Sequence, residues 1–230
     1  MRVTVICPTK NRMAFLQKSI EYFLRQTYTD SEMLILDDSD NRAEIIPFFH
    51  PRVKHQIVDS MLLGAKMAYG VSIANTNFIQ KWDDDDFYDS RFLDRNVAAL
   101  CEDDTRIVGR RAFPVMFLGE PTWKICTLPT ALAGGTLFFN RKHCPQFRPE
   151  LWRGVDTEFL RDARHNPQYS LPGWDYVMVR HGRNTWSNAG WDDWLRAKPP
   201  YCGSVASIMS GADLAFYRTM KYEREAKCAA

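Results

Sequence analysis

A chain of 230 residues that is 45% hydrophobic and 25% charged has ample material for one generous core, and its composition is that of an ordinary globular enzyme-sized protein. A net charge of +2 gives no electrostatic case for nucleic acid or an acidic membrane as partner, and no apolar run approaches the ~18 residues of a membrane-spanning helix. Six scattered cysteines (Cys7, Cys101, Cys126, Cys144, Cys202, Cys228) form no C-x-x-C pair and read as free thiols in a reducing, cytoplasmic compartment; Met1 to Val5 leads straight into strand-like sequence rather than a signal peptide.

Val3 to Cys7 is β-branched and apolar, the pattern of a buried strand that stops at Pro8. Leu16, Ile20, Phe23 and Leu24 recur at helical spacing and predict an amphipathic helix over about 13–26. Met33 to Leu36 is a second apolar strand, ending in the acid cluster Asp37-Asp38-Ser39-Asp40, and Gln56 to Val58 a short third. Leu63, Met67, Val71 and Ala74 predict a helix over about 62–74, leading into the strand Phe78-Ile79. Asp89 or Ser90 is the expected cap of a helix whose apolar face is Leu93, Val97 and Leu100. Strand and helix alternate this far, so the fold class is α/β with a mainly parallel sheet.

Beyond residue 100 the pattern changes. Ile107-Val108, Ala112 to Phe117, Thr136 to Phe139 (introduced by Gly134-Gly135) and Tyr176 to Val179 read as strands, and a helix begins near Asp156. Residues 183–210 are rich in Trp, Gly, Asn and Pro and read as mostly irregular, followed by a helix from about Ala212 to Ala226.

The stretch Lys81-Trp82-Asp83-Asp84-Asp85-Asp86-Phe87-Tyr88 demands a physical explanation. Adjacent carboxylates raise one another's pKa unless solvent or a cation offsets them, and Mg²⁺ or Mn²⁺ is suited to that task. A solvated surface run is the plainer reading of such a segment. Its position after an apolar strand, matched by the Asp37–Asp40 cluster after another, instead points to one crevice at the carboxyl ends of the strands, where open α/β sheets bind ligands.

In order along the chain, Val5-Ile6-Cys7-Pro8-Thr9-Lys10-Asn11-Arg12, Leu36-Asp37-Asp38-Ser39, Trp82 to Asp86, Gly134 to Phe139, Gly154 to Phe159 and Arg180-His181-Gly182-x-Asn184-Thr185-Trp186 resemble the successive motifs of family 2 inverting glycosyltransferases. The resemblance covers residues 3 to about 186. It implies a single GT-A domain over 1–230, Rossmann-like, with a mainly parallel central sheet flanked by helices and a smaller mixed acceptor-side sheet. Residues 1–100 would be the nucleotide-sugar half, 101–190 the acceptor half, and 191–230 an irregular segment and C-terminal helix.

The same resemblance implies transfer of a sugar from a nucleotide-sugar donor, usually a UDP-sugar, to an acceptor hydroxyl with Mn²⁺ or Mg²⁺ on the diphosphate. Pro8, Thr9, Arg12, Asp38, Asp83, Asp84 and Gly135 match donor-side positions, with Asp38 on the base and Asp83 on the ribose and sugar. Asp85 and His181 match metal ligands, although the four-residue acid run leaves the register open between Asp84, Asp85 and Asp86. Asp156 matches the catalytic base, with Glu158 in reserve and helix capping as its other reading. Val155 departs from the family pattern, which has Glu at that position.

Trp152, Trp174, Trp186, Trp191 and Trp194 are core or acceptor cleft. Arg110-Arg111 and Arg141-Lys142-His143 are phosphate contacts or solvated surface. A saccharide or lipid-linked glycan is the acceptor the family implies; modified nucleic acid has no support from the charge. Two other activities would use the same acid cluster: nucleotidyl transfer or phosphohydrolysis, and nucleotide-sugar binding without catalysis.

Overall fold

The computed structural model describes residues 1–41, 50–185 and 189–222. Trp186, Cys228 and the last residues of the predicted C-terminal helix lie outside them. The first half of the chain builds β1 (Val3–Thr9), α1 (Met13–Leu24), β2 (Ser31–Asp37), β3 (Val53–Ile57), α2 (Leu63–Ile73), β4 (Phe78–Lys81), β5 (Phe87–Tyr88) and α3 (Phe92–Cys101). There follow β6 (Ile107–Arg110), β7 (Ala112–Phe117), β8 (Lys124–Thr127), β9 (Phe138–Asn140), α4 (Val155–Asp162), β10 (Gln168–Leu171), β11 (Tyr176–Arg180), α5 (Ala189–Arg196) and α6 (Gly211–Thr219).

The central sheet has seven strands in the order β10-β6-β9-β4-β1-β2-β3. β3, β2, β1 and β4 are mutually parallel, and β9 runs antiparallel between β4 and β6. β1 and β2 are buried along their whole length, as expected of inner strands covered on both faces. Their side chains alternate between two cores. Val3, Val5 and Cys7 pack with Leu16, Ile20 and Phe23 of α1 and Phe92 and Val97 of α3, whereas Ile6, Leu34 and Leu36 pack with Met67 of α2 and Phe159 of α4. Each such side chain contributes ~1.5–3 kcal/mol of burial, and the period-2 alternation fixes the register. That register sets Thr9 beside Asp37, and Ile6 beside Lys81. Both acid clusters therefore leave the carboxyl edge of the sheet, from the two strands that flank β1.

A second sheet has the order β5-β11-β7-β8. The strands do not divide at residue 100: β5 belongs to the second sheet, while β6, β9 and β10 complete the first. β5, β8 and β10 are short strands that periodicity did not reveal.

The capping expectation at Asp89 or Ser90 is corrected. The residue before α3 is Arg91, without a side-chain cap, and Asp89 accepts the Arg91 N–H at 3.0 Å in the turn that feeds the helix. The expected strand at Thr136 begins at Phe138 instead, because Gly134–Thr136 forms a turn of 3₁₀ helix. Most of the described residues in 183–210 are irregular as expected, but α5 lies within them, and α6 ends at Thr219, where Met220 turns to an extended backbone. Asp156 is not a helix cap: Gly154, in the left-handed conformation at φ 65°, precedes α4, and Asp156 falls in its first turn.

Arg110 is neither a phosphate contact nor solvated surface. It is completely buried, and its guanidinium donates to both oxygens of Asp175 at 2.6–2.7 Å. Among the described residues no helix is long and apolar enough to cross a membrane.

Candidate active site

The four aspartates after β4 are not a solvated face. Asp84, Asp85 and Asp86 are 2–6% exposed, and each has its own set of donors. Asp84 accepts the Thr9 hydroxyl at 2.5 Å and lies 3.3 Å from the Arg12 guanidinium. Asp86 accepts the Tyr176 hydroxyl at 2.5 Å and the Val179 N–H at 2.8 Å, and so ties the loop to β11. Asp85 receives Arg12 at 2.5 Å, His181 Nε2 at 2.9 Å and Asn184 at 3.0 Å, all on Oδ2. The flanking aromatics hold the segment: Trp82 and Tyr88 stack with centroids 3.6 Å apart, and Trp82 donates to Ser19 at 2.8 Å.

The environments separate the charges. Burial pushes Asp84 up to about 6 against the pull of Arg12, with Asp85 adding to the rise. Burial, then the Asp85 and Asp83 charges, raises Asp86 well above the carboxylate range. Burial acts on Asp85 in the same sense, but Arg12, the His181 hydrogen bond and Arg180 overcome it and hold Asp85 well below that range. Asp85 is thus the most readily ionised member of this trio. A carboxylate whose Oδ1 accepts no hydrogen bond among the described residues, beside an imidazole, is an O/N pair that could hold a Mn²⁺-like ion. Asp85 and His181 fit as two protein ligands, with the remaining positions left to substrate oxygens and water. No group of three or more His, Cys, Asp or Glu among the described residues forms an all-protein cage.

Asp156 approaches the same centre from α4. Its Oδ1 is buried without a hydrogen-bond donor and stands 3.5 Å from Lys81 Nζ, while the side chain as a whole is 29% exposed. Burial raises its pKa, Lys81 opposes the rise and Asp83 adds to it. Gly134 and Gly135 lie in the 3₁₀ turn before β9, and these carboxylates stand where a side chain at either position would go. A Cβ at 134 would lie 2.0 Å from Asp156 Oδ2, and one at 135 would lie 2.7 Å from Asp83 Oδ2 and 2.9 Å from the Tyr88 hydroxyl. Tyr88 donates to the Gly135 carbonyl at 3.0 Å and accepts the Asp83 N–H at 2.8 Å, fixing both segments together. Glu158 faces away and pairs with Arg161 and Arg148.

A cavity of about 300 Å³ unites most of these groups. Pro8, Arg12, Asp83 to Asp86, Gly135 and Asp156 line it, together with Lys81, Asn184 and Trp191. His181 opens instead onto an adjoining pocket of about 200 Å³, with Asn11, Phe15 and Arg183, and Arg12 is the wall common to both. Thr9 and Asp38 lie outside the lining of either pocket. Asp38 is engaged by the buried Lys66, which also donates to the Thr9 carbonyl at 2.9 Å, and by the Met61 N–H at 3.3 Å. Trp152 and Trp174 are more than half exposed and line neither pocket.

Sequence reasoning missed Lys66, Lys81 and Asn184. Lys81 carried the one available signal, a charged residue at the end of an otherwise apolar inner strand. Asn184 owes its position to Gly182, whose φ of 87° turns the chain back so that Asn184 reaches Asp85 and also accepts the His181 N–H at 3.0 Å.

A mostly parallel seven-stranded sheet with a smaller second sheet, carrying two acid clusters at its carboxyl edge, is the architecture of the GT-A class of folds. The glycosyl transferase family 2 model matches residues 4–148, more than half of the chain, and the chain belongs to that family. Glycosyltransferase GlyG of Streptococcus pneumoniae serotype 4 (strain ATCC BAA-334 / TIGR4) is 29% identical over 113 residues, 46% of this chain and 37% of that protein. TarS of S. aureus superposes with a TM-score of 0.61 at 17% identity, over 79% of this chain and 37% of TarS. TarS 1–349 in complex with UDP-GlcNAc superposes with a TM-score of 0.60 at 18% identity, over 82% of this chain and 61% of that one. The chain thus spans well under half of the curated relative and of TarS.

Proposed function

We propose that this chain is an inverting glycosyltransferase that binds a UDP-sugar with a divalent metal and moves the sugar to an acceptor hydroxyl. The observation that carries the reading is Asp156: a carboxylate that lines the same cavity as the Asp83–Asp86 cluster, its buried Oδ1 accepting no hydrogen bond among the described residues. Asp156 takes the proton of the acceptor hydroxyl as its oxygen attacks the anomeric carbon on the face opposite the diphosphate. Its raised pKa makes its carboxylate a better proton acceptor than that of a solvated aspartate. Asp83, its side chain 32% exposed, would hold sugar or ribose hydroxyls. Arg12 lines both pockets and supplies fixed positive charge where a diphosphate would lie.

Mn²⁺ or Mg²⁺, held by Asp85 and His181, would supply charge stabilisation to the departing diphosphate. The UDP-GlcNAc complex of the TarS fragment makes that sugar nucleotide the first donor to try. Asp38 remains the proposed contact to the base on the resemblance of Leu36-Asp37-Asp38-Ser39 to the family motif, not on a place in either pocket.

The test is release of UDP from UDP-GlcNAc and other UDP-sugars with Mn²⁺, with and without hydroxyl acceptors. Wild-type protein is expected to release UDP, and Asp156→Asn to lose ~10²–10⁴-fold. Release of nucleoside monophosphate or pyrophosphate would overturn the reading in favour of phosphoryl chemistry. Binding of the donors without any turnover would overturn it in favour of a binding module.

A further inference from the structure

Lys81 takes no part in the chemistry described so far, yet it stands between its two carboxylates. It is the last residue of β4, its side chain is 2% exposed, and its backbone N–H is fixed on the Leu137 carbonyl at 2.9 Å. Nζ donates to Asp83 Oδ1 at 2.5 Å and lies 3.5 Å from Asp156 Oδ1. A buried ammonium is costly unless paired, and here the pair is made of one donor-side and one acceptor-side group.

We propose that Lys81 is a positioning residue that joins the two halves of the site: anchored on Asp83, its ammonium holds the Asp156 carboxylate charged and turned so that Oδ2 faces the acceptor hydroxyl. The proposal rests on Asp156 being the base. Two features of the site make the arrangement specific. Among the described residues Oδ1 accepts no hydrogen bond and Lys81 is the charge paired with it at 3.5 Å, and Gly134 leaves the space that Oδ2 occupies.

Lys81 itself cannot serve as the base. Burial disfavours its charge, but Asp156 and Asp83 outweigh burial and keep it protonated well above the ordinary lysine range. Once Asp156 accepts the proton and becomes neutral, the ammonium retains Asp83 as its counter-charge, so no unpaired charge is left in the site. The charged groups facing Asp156 are Lys81 and Asp83 from β4 and the loop after it; on α4 itself Glu158 is occupied by Arg148 and Arg161.

Three variants test this: Lys81→Met removes the charge, Lys81→Gln keeps a donor without charge, and Lys81→Arg keeps the charge. The readouts are the ¹³C carboxyl titration of Asp156, assigned by its loss in Asp156→Asn, and the pH dependence of Mn²⁺-supported UDP release from UDP-GlcNAc. Removing a neighbouring positive charge disfavours the carboxylate, so the Asp156 titration should move to higher pH in Lys81→Met and Lys81→Gln. Turnover should fall on the order of tenfold or more at the acid end and recover as pH rises, with Lys81→Arg close to wild type in both readouts.

An unmoved Asp156 titration in both neutral variants refutes the role of Lys81, even when Asp156→Asn is inactive. Full activity of Asp156→Asn refutes the base assignment instead, whatever Lys81 does. If Lys81→Met fails to fold, Lys81→Gln decides the matter, and a circular dichroism melt identifies that case.

Discussion

Replacing Gly134 by alanine puts a single methyl group against the proposed base. The added Cβ would stand 2.0 Å from Asp156 Oδ2 and 2.5 Å from its Cγ, where ordinary contact begins near 3.4 Å. Closing that gap displaces the carboxylate by about 1.4 Å. Rotation about χ1 is the easy escape, and it would carry both oxygens away from the cavity. A misplacement of ~1 Å costs on the order of 10²-fold in rate, or roughly 2.7 kcal/mol of barrier. Overpacking by one methyl costs about 1–3 kcal/mol of stability, at ~2–4 °C of Tm per kcal/mol for a chain of this size. Gly134→Ala should therefore remain folded, melt a few degrees lower and release UDP about a hundred times more slowly. Gly211→Ala is the control: nothing lies within 4 Å of its Cβ position, and the residue opens α6, so turnover should be unchanged. Wild-type turnover by Gly134→Ala would refute the reasoning, because it would mean that Asp156 is not needed where the structure holds it.

The remaining predictions separate chemistry from architecture within the same acid run. Asp85→Asn and His181→Ala should each abolish the Mn²⁺ dependence of UDP release, read as rate against metal concentration, while leaving a cooperative melt. Asp86→Ala strips the Tyr176 hydroxyl and the Val179 N–H of their acceptor, so it should cost roughly 1–3 kcal/mol for each group, measured by urea unfolding. Far from the site, Asp213 is 2% exposed, and its pKa is lowered because Arg25, Ser210 and Lys18 together outweigh burial. A depressed folded-state value stabilises above the unfolded carboxylate pKa of about 3.9 and fades as pH falls through the folded one. Asp213→Asn should then flatten the loss of stability between neutral pH and the acid range; an unaltered slope would show the pairing to contribute nothing.

The parts of the fold and site that could be read in advance are those governed by local periodicity. β1, β2 and the helices after β1 and β3 announced themselves because alternate residues of inner strands serve two different cores, and because Leu16, Ile20 and Phe23 recur at helical spacing. Both acid clusters were legible because charge following an apolar run marks a strand's carboxyl end. What was not legible depends on partners distant in sequence. Arg110 looked like surface until Asp175, 65 residues on, was seen to neutralise it. The strands β5, β8 and β10 are two to four residues long and exist through pairing alone. The Gly134-Gly135 pair could be recognised as special but not explained, since its reason is a pair of carboxylates 21 and more residues away in either direction.

The acid run shows why composition alone misleads here. Four adjacent aspartates carry one chemical identity, yet the fold gives them four jobs by choosing their donors. Asp86 is spent on β11, Asp84 on Thr9 at the end of β1, Asp85 on Arg12, His181 and Asn184, and Asp83 on Lys81. Loop residues pointing in different directions can be served by different strands, and that division relieves the repulsion a solvated run would relieve by exposure. A tetra-aspartate can then be buried because separate donors offset much of the repulsion that still raises Asp84 and Asp86. The cost is rigidity: each carboxylate is tied to a separate element, so a change at one end of the run propagates to β1, β11 or α4. Substitutions at Asp84 and Asp86 should for that reason lower activity through the position of Asp85 and Asp83 as well as through stability, and a kcat loss that persists when Tm is restored by a stabilising change elsewhere would distinguish the two.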